Sequence, residues 1–210
     1  TLTERAIQMI ALITILALAP SILVMVTSFT RIVVVLSLLR TAIGLQTAPP
    51  NSVMISLALF LTAFIMAPTL QQSYELGIEP LVAGEVEIVE AIELGSGPLH
   101  EFMRTHVRPQ DVMLFMDLTE TPAPENPEDL ELRILIPAFM ISELRRAFEI
   151  GFLLFLPFVV IDMVVASVLM SMGMMMLPPV IISLPFKLIF FVLVDGWHLV
   201  AGSLIRSFTG

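Results

Sequence analysis

Three ionisable side chains, Asp162, Lys187 and Asp195, lie inside long apolar stretches of the sequence. An ionisable group that faces lipid costs at least about 2.5 kcal/mol on insertion scales, so such groups usually point into a helix bundle or a water-filled cavity. One interpretation makes the three residues a pathway for protons or ions. The other makes them structural, because a buried charge without a partner strongly destabilises a protein. We favour structural pairing.

A second group of charges could be neutralised within a single helix. Glu143 lies three residues before Arg146, and Arg145 lies four residues before Glu149. Residues at these spacings are neighbours on a helix surface, where opposite charges attract. The sequence therefore predicts that these four residues pair with one another.

Lys187 is the only lysine in the sequence, and it has no opposite charge three or four residues away. Asp162 also lacks such a neighbour, whereas Asp195 has His198 three residues further on. We therefore expect Lys187 to meet Glu143 or Asp162 across helices or across subunits.

No pattern typical of an enzyme accompanies these charges. The histidines, His100, His106 and His198, are not spaced as metal ligands, and the sequence has no Ser/His/Asp order, phosphate-binding glycine loop or paired-carboxylate signature. The absence of cysteine excludes disulfides and thiolate chemistry within the chain. We predict no catalysis, no cofactor and no metal site.

The sharpest local motif is SMGMMMLPP at 171–179, which contains Met172, Met174, Met175 and Met176. Methionine is common in membrane helices, where it fills irregular gaps, and this is one interpretation of the motif. A second interpretation uses the flexibility of the unbranched thioether side chain. A ring of such side chains from several copies could close a hole at rest and repack around a passing chain.

The composition places these residues in a membrane protein. The 210 residues are 57% hydrophobic and 14% charged, which is too apolar for a single water-soluble core. Four stretches have about the 20 residues that a helix needs to cross roughly 30 Å of hydrocarbon. They are residues 6–26, 52–70, 150–170 and 180–205.

These stretches predict an all-α fold with three parts. Residues 1–70 form a hydrophobic helical hairpin, and residues 134–210 form a second one with the methionine-rich turn at 172–179. Between them, residues 71–133 form an insert that holds fourteen of the nineteen acidic residues against three basic ones, a net charge of −11. Such a charge argues against nucleic acid as a partner and for a solvated segment that is extracytoplasmic or lines a vestibule.

Within the insert, periodicity predicts two short amphipathic helices at 82–94 and 98–106, separated by glycines. Pro109 is expected to start another helical segment. The stretch 119–129 contains three prolines and four acidic residues without apolar periodicity, which predicts a loop.

The basic residues do not fit four simple membrane spans. If the connecting stretch with Arg31 and Arg40 faces the cytoplasm, the positive-inside rule places the insert outside, yet Arg145 and Arg146 then lie outside as well. Prolines also interrupt the apolar stretches, which is tolerated at membrane depth only where protein or water satisfies the freed backbone groups. We therefore expect some of these helices to be buried against protein rather than lipid.

Three long motifs carry a resemblance to a known family. They are PAFMISELRRAFEIGF at 137–152, LPFVVIDMVVASVLMSMGMMMLPP at 156–179 and LPFKLIFFVLVDGW at 184–197. TSFTRIVVVLSLLR at 27–40 and APPNSVMISLALFLTAFIMAP at 48–68 extend it more loosely. The sequence resembles the FliP family, which comprises flagellar export-gate proteins and their virulence counterparts, called SctR.

The resemblance implies that several copies assemble with FliQ-like and FliR-like membrane proteins into a helical, funnel-like export gate for unfolded secreted proteins. The methionine-rich loop of the family would form a gasket around the closed channel. That role falls here on Met174, Met175 and Met176, with Met172 adjacent.

The resemblance also implies a bridge between helices or subunits that involves Glu143 and Lys187, which match charged positions of the family motifs. It places the chain in the bacterial inner membrane within the flagellar basal body. FlhA-like and FlhB-like export proteins, the basal-body ring and membrane lipid are further expected neighbours. The long acidic insert favours the flagellar branch and is expected to face the periplasm.

Two alternatives stay open at this point. Thr1, in place of an initiating Met, fits a processed chain or a trimmed one. The runner-up function is an ion channel or proton-coupled transporter subunit that uses Asp162, Lys187 and Asp195, and a third hypothesis is a structural scaffold within a larger membrane machine.

Overall fold

The computed structural model describes residues 2–174 and 176–209, and most of them are helical. The predictions made for Thr1 and Met175 fall outside this part of the chain. The described residues form nine α-helices, which confirms the all-α class: α1 (Leu2–Val26), α2 (Phe29–Ile43), α3 (Asn51–Ser73), α4 (Glu79–Ala83), α5 (Ile88–His106), α6 (Pro109–Leu118), α7 (Leu132–Ser171), α8 (Pro179–Leu193) and α9 (Gly196–Thr209). A π-helical turn, Tyr74–Ile78, joins α3 to α4, and a 3-10 turn, Pro127–Asp129, precedes α7.

Two helical runs are long and apolar enough to cross a membrane. One is Asn51–Ala83, which comprises α3, the π-helical turn and α4, and the other is the 40-residue α7. Two further pairs of helices are long enough only when the two members of each pair are counted together. They are Pro20–Val26 with Phe29–Ile43, and Pro179–Leu193 with Gly196–Thr209, and a short break separates the two helices of each pair. By length and composition the described residues thus hold two spans, or up to four if each broken pair is one span.

The prediction of one helix over 180–205 is wrong. α8 ends at Leu193 and α9 begins at Gly196, with a bend of 63° between them. Asp195 adopts a left-handed φ of 51°, a conformation that aspartate tolerates better than most residues. The ring of Phe191 occupies the space that a Cβ on Gly196 would need. An aspartate and a glycine therefore break a helix that the apolar composition alone predicted.

The predicted boundaries 82–94 and 98–106 are also wrong. α4 ends where Gly84 adopts a left-handed φ of 75° and caps the helix. α5 then runs without a break through the glycines and the proline that were expected to separate two helices. Pro109 begins α6 as predicted, and 119–129 contains no α-helix.

The chain divides into two compact units. The first comprises the chain up to Thr30 and Pro68–Ser142, and the second comprises Arg31–Ala67 and the chain from Glu143 onward. The linear division into 1–70, 71–133 and 134–210 stays a prediction. In the first unit an apolar core forms among α1, α5, α7 and the segment before α7: Val26, Met103, Leu130, Ile134, Leu135 and Phe139.

In the second unit α2 is the most buried helix. Its buried apolar residues recur every three or four positions, as expected for a helix that packs on one side: Ile32, Val35, Leu36, Leu39, Ala42 and Ile43. α2 lies so close to α7 that Leu38 occupies the space a Cβ on Gly151 would need. This close packing positions the charged residues described below.

In the first unit, α5 approaches the π-helical turn closely because two glycines meet there. A Cβ placed on Gly77 would lie 2.6 Å from the carbonyl oxygen of Ala91 and 2.8 Å from Cα of Gly95. A Cβ on Gly95 would lie 3.3 Å from the carbonyl oxygen of Ser73. These neighbours are backbone atoms, which cannot move aside as a flexible side chain can.

We predict that Gly77→Ala destabilises the protein by about 1–3 kcal/mol, the usual range for overpacking. Gly97→Ala is the matched control, because nothing lies within 4 Å of its added Cβ. It should be neutral or should stabilise α5 by about 0.5–1 kcal/mol, since alanine loses less entropy than glycine in a helix. Thermal unfolding of the two purified variants measures the difference, and equal midpoints would contradict the close approach.

Candidate functional site

Arg31 and Glu143 form a fully buried ion pair between α2 and α7. Nε of Arg31 donates to Oε2 of Glu143 at 2.8 Å, and Nη2 donates to Oε1 of the same carboxylate. The planar guanidinium presents its donors in a fixed fork that matches the two carboxylate oxygens. The pair therefore fixes both the distance and the rotation of α2 against α7.

The guanidinium of Arg31 also holds the C-terminal end of α9. Nη1 donates to the carbonyl oxygen of Ser207 at 3.0 Å and to its Oγ at 2.9 Å. Cζ of Arg31 lies 3.6 Å from the centroid of the Phe208 ring, which is a cation–π distance. One side chain thus connects α2, α7 and α9.

The role of Arg31 was missed from the sequence, which placed it in a connecting stretch. The structure corrects this, because Arg31 is the third residue of α2. A signal was present: the residue is followed directly by the apolar run 32–36. An arginine next to such a run needs a carboxylate partner if its helix is buried.

Lys187 pairs with Asp162, the second of the two partners considered from the sequence. Nζ of Lys187 lies 2.7 Å from Oδ2 of Asp162, and Ser183 donates from Oγ to Oδ1 of the same carboxylate. The lysine side chain is 4% exposed and the aspartate side chain is 32% exposed. The pair joins α8 to α7 with the ammonium buried and the carboxylate partly open.

The ammonium of Lys187 also lies at the C-terminal end of α2. Nζ donates to the carbonyl oxygen of Ala42 at 3.4 Å. Carbonyls in the last turn of a helix lack intrahelical partners and carry the negative end of the helix dipole, so a cation is stabilised there. Lys187 therefore ties α8 to both α7 and α2.

The remaining charged candidates lie nearer the surface. Nε of Arg145 lies 2.9 Å from Oε1 of Glu149, and both side chains are exposed. Of the two pairs predicted from helix spacing, the structure shows the ion pair of Arg145 with Glu149. The carboxylate of Glu143 instead pairs with Arg31. Within the described part of the chain, Arg146 and Asp195 have no ion-pair partner within 4 Å.

The backbone fixes the loop between α7 and α8 at both ends. Gly173 adopts a left-handed φ of 74°, its N–H donates to the carbonyl of Met170, and the N–H of Met174 donates to the carbonyl of Leu169. These two hydrogen bonds are the Schellman motif, which ends a helix sharply. α8 then starts at Pro179, a position where the missing N–H of proline is not needed.

The methionine side chains of this loop are exposed. Met172 is 61% exposed, Met174 is 42% exposed and Met176 is 98% exposed, while Met175 lies outside the described residues. They therefore do not fill gaps in the core of their own unit. An exposed cluster of flexible apolar side chains is typical of a surface that contacts another molecule.

Together these features define a class, a helical membrane protein whose buried charges are structural ion pairs. No cluster of three or more His, Asp or Glu side chains among the described residues could hold a metal ion. The rings of His100 and His106 each lie within hydrogen-bond distance of a backbone carbonyl, that of Leu130 and that of Phe102.

Comparison with known proteins identifies the family. The FliP family model matches residues 12–204, and the chain belongs to that family. The chain is similar to the flagellar biosynthetic protein FliP of Caulobacter vibrioides, with 65% identity over 99% of this chain and 78% of the relative. It is 52% identical to that of Bacillus subtilis, over 98% of this chain and 93% of the relative. It is 51% identical to the flagellar biosynthetic protein FliP of Rhizobium meliloti, over 96% of this chain and 83% of the relative.

Membership of this family confirms the resemblance read from the motifs. The chain is a component of the flagellar type III export apparatus and not an enzyme. Its apolar helices and its family fit an inner-membrane flagellar protein.

We predict that Arg31→Met destabilises the protein by about 3–5 kcal/mol, because it leaves the carboxylate of Glu143 buried without its guanidinium. The double variant Arg31→Met/Glu143→Met should recover most of the lost stability, because neither buried charge then remains. The measurement is the thermal unfolding midpoint of the detergent-purified protein.

Arg145→Met is the control for this prediction, because its ion pair with Glu149 is exposed and contributes less than about 1 kcal/mol. If Arg31→Met were no more damaging than Arg145→Met, the buried pair would not be what connects the helices.

For the second pair we predict unequal effects of the two single changes. Asp162→Asn removes the countercharge of a buried ammonium and should cost about 3 kcal/mol. Lys187→Met leaves a carboxylate that is partly open and still accepts a hydrogen bond from Ser183, so it should cost about 1 kcal/mol. Unfolding midpoints of the two variants give the comparison, and the reverse order would show that the carboxylate is the more buried partner.

Proposed function

We propose that the chain is a core subunit of the flagellar type III protein-export gate. Several copies, together with FliQ-like and FliR-like subunits, form the channel through which unfolded flagellar proteins leave the cell. The observation that carries the proposal is the exposed methionine loop between two apolar helices of a chain in the FliP family.

The uncovered apolar surface supports an assembly of several chains. Phe60 and Phe64 of α3 and Phe148 and Phe152 of α7 are exposed, as are many aliphatic side chains of both helices. Surfaces of this kind are covered in membranes by lipid or by neighbouring helices. We propose that sister copies and the smaller partner subunits cover one part and that lipid covers the rest.

The methionine loop closes the channel in this proposal. Its backbone is held by Gly173 and by proline, while the side chains of Met172, Met174 and Met176 extend away from their own unit. Fixed ends of the loop and flexible, unbranched methionine side chains suit a gasket, because copies of the loop can close around an axis and separate to admit an extended chain. Met175 belongs to the same loop by sequence.

Surface charges are available to pair one copy with the next. Among the described residues, Arg146 and Asp195 have no ion-pair partner of their own, and Asp195 is exposed at the bend before α9. Arg145 and Glu149 are exposed as well and could exchange partners. The family motifs also point to Glu143 and Lys187 for such a bridge, in exchange with their partners within the chain.

We place the acidic insert, 71–133, in the periplasm. Its net charge of −11 suits a solvated segment and not burial in lipid. The basal-body ring is its proposed neighbour there, and FlhA-like and FlhB-like proteins are the proposed neighbours of the gate on the cytoplasmic side. The alternative hypothesis, a proton or ion pathway through Asp162, Lys187 and Asp195, loses support because Asp162 and Lys187 form an ion pair within the chain.

The gasket is tested by replacing all four loop methionines, Met172, Met174, Met175 and Met176, with alanine. We predict a several-fold rise in the leak of small ions across the resting membrane, because alanine is too short to close the axis. Leak is measured by dye or ion flux in cells that express the assembled gate.

The control is Met113→Ala, which removes an exposed methionine of α6 and should leave the leak unchanged. An unchanged leak in the fourfold variant, with export and assembly intact, would show that the loop is not the gasket. A proton-dependent current that Asp162→Asn abolishes would favour the transporter reading.

A further inference from the structure

Among the described residues, the methionine side chains range from buried to almost fully exposed. Met54, Met66 and Met103 are buried, so their sulfur atoms are shielded from solutes. The loop methionines Met172 and Met176 are well exposed, and Met176 is 98% exposed. Solvent access is one of the main factors that decide which side chains are oxidised.

The loop is also where a change in the polarity of methionine matters most. Within the described part of the loop, the side chains of Met172, Met174 and Met176 make no hydrogen bond, and the two helices that flank the loop are apolar. Oxidation to the sulfoxide turns a flexible apolar side chain into a polar one and disrupts methionine-rich contacts. The chain has no cysteine, so thiols offer no competing target within it.

We propose that Met172, Met174 and Met176 are sites of reversible oxidation by peroxides, and that their conversion to sulfoxides loosens the closed gate. This inference rests on the proposed gasket and adds a chemical control to it. The sulfur attacks one oxygen of hydrogen peroxide, the O–O bond breaks, and an S=O bond forms. The sulfur loses two electrons and the peroxide is reduced by the same two. The second oxygen leaves as hydroxide, takes the proton from the oxygen now bound to sulfur, and becomes water.

Peroxide can reach the loop in the assembled gate as well as in the single chain. A gasket closes a water-filled channel, so water borders the ring of side chains on both faces. Hydrogen peroxide is small and uncharged, and it reaches the sulfur atoms from the channel. Sulfoxides then draw water into the ring, because their oxygen accepts hydrogen bonds that the thioether accepts only weakly.

The experiment uses membrane vesicles that contain the gate assembled with its partner subunits. The vesicles are treated with hydrogen peroxide and quenched, and the oxidised fraction of each methionine is measured by peptide mass spectrometry. The leak of a small ion is measured before and after treatment, and the ratio of the two values is compared between variants, so that differences in resting leak cancel.

Two variants sharpen the test. The first replaces Met172, Met174, Met175 and Met176 with leucine, which keeps apolar side chains of similar volume but removes every loop sulfur. The second, Met113→Leu, removes an exposed methionine of α6 and keeps the loop.

We expect the oxidised fraction to be highest at Met176 and several-fold higher at the loop methionines than at Met54, Met66 and Met103. We expect peroxide to raise the leak several-fold in the native chain and in Met113→Leu, but not in the fourfold leucine variant. Methionine sulfoxide reductases should return the leak to its starting value.

Three results would overturn the inference. They are loop methionines that stay reduced, loop methionines that oxidise without any change in leak, and a leucine variant whose leak rises as much as that of the native chain. The gasket itself is tested separately by the alanine variant without oxidant. If alanine opens the channel and peroxide does not, the gasket stands and only the oxidation fails.

Discussion

The buried pair of Arg31 and Glu143 is the interaction on which the second unit depends. A guanidinium and a carboxylate inside an apolar helix bundle are tolerable only when each satisfies the other, and the fork geometry allows this at one separation and one rotation of α2 against α7. The same guanidinium binds Ser207 and lies over Phe208, so the end of α9 is held by the residue that aligns α2 with α7. The apolar packing of α2 against α7 sets how closely the two helices approach, and the charge pair adds a directional contact that favours one register.

The second pair extends this arrangement toward the methionine loop. Asp162 lies nine residues before Ser171, the last residue of α7, which is about 14 Å along a helix, and Lys187 lies eight residues after Pro179, the first residue of α8, which is about 12 Å. Ser183 meets Asp162 on the side nearer the loop, and the rings of Phe190 and Phe191 meet Phe158 on the far side. The two helices therefore run antiparallel beside each other, and the loop projects from a supported hairpin. A gasket needs such support, because its methionine side chains must rearrange while the helices that carry the loop stay in place.

Much of the molecule follows from the sequence. The all-α class and the place of the methionine-rich turn between two apolar helices rest on local composition and on motifs, which the chain carries whatever its neighbours do. The FliP family was recognisable for the same reason, since three long motifs survive in order. Lys187 and Asp162 could be paired as one of two alternatives, because a lysine in an apolar stretch must find a carboxylate and few were available.

The tertiary structure decided what depends on residues distant in sequence. Arg31 and Glu143 are 112 positions apart, so no spacing rule links them, and sequence patterns place Arg31 in a connecting stretch although it belongs to a buried helix. The break at Asp195 and the unbroken course of α5 through its glycines were misread because apolar periodicity predicts a helix wherever composition allows, and glycine predicts a break wherever it occurs. Whether a glycine ends a helix, as Gly84 does, or admits a neighbouring backbone, as Gly95 does, depends on what lies beside it. Sequence determines which groups need partners, and only the packed chain determines which partner each one meets.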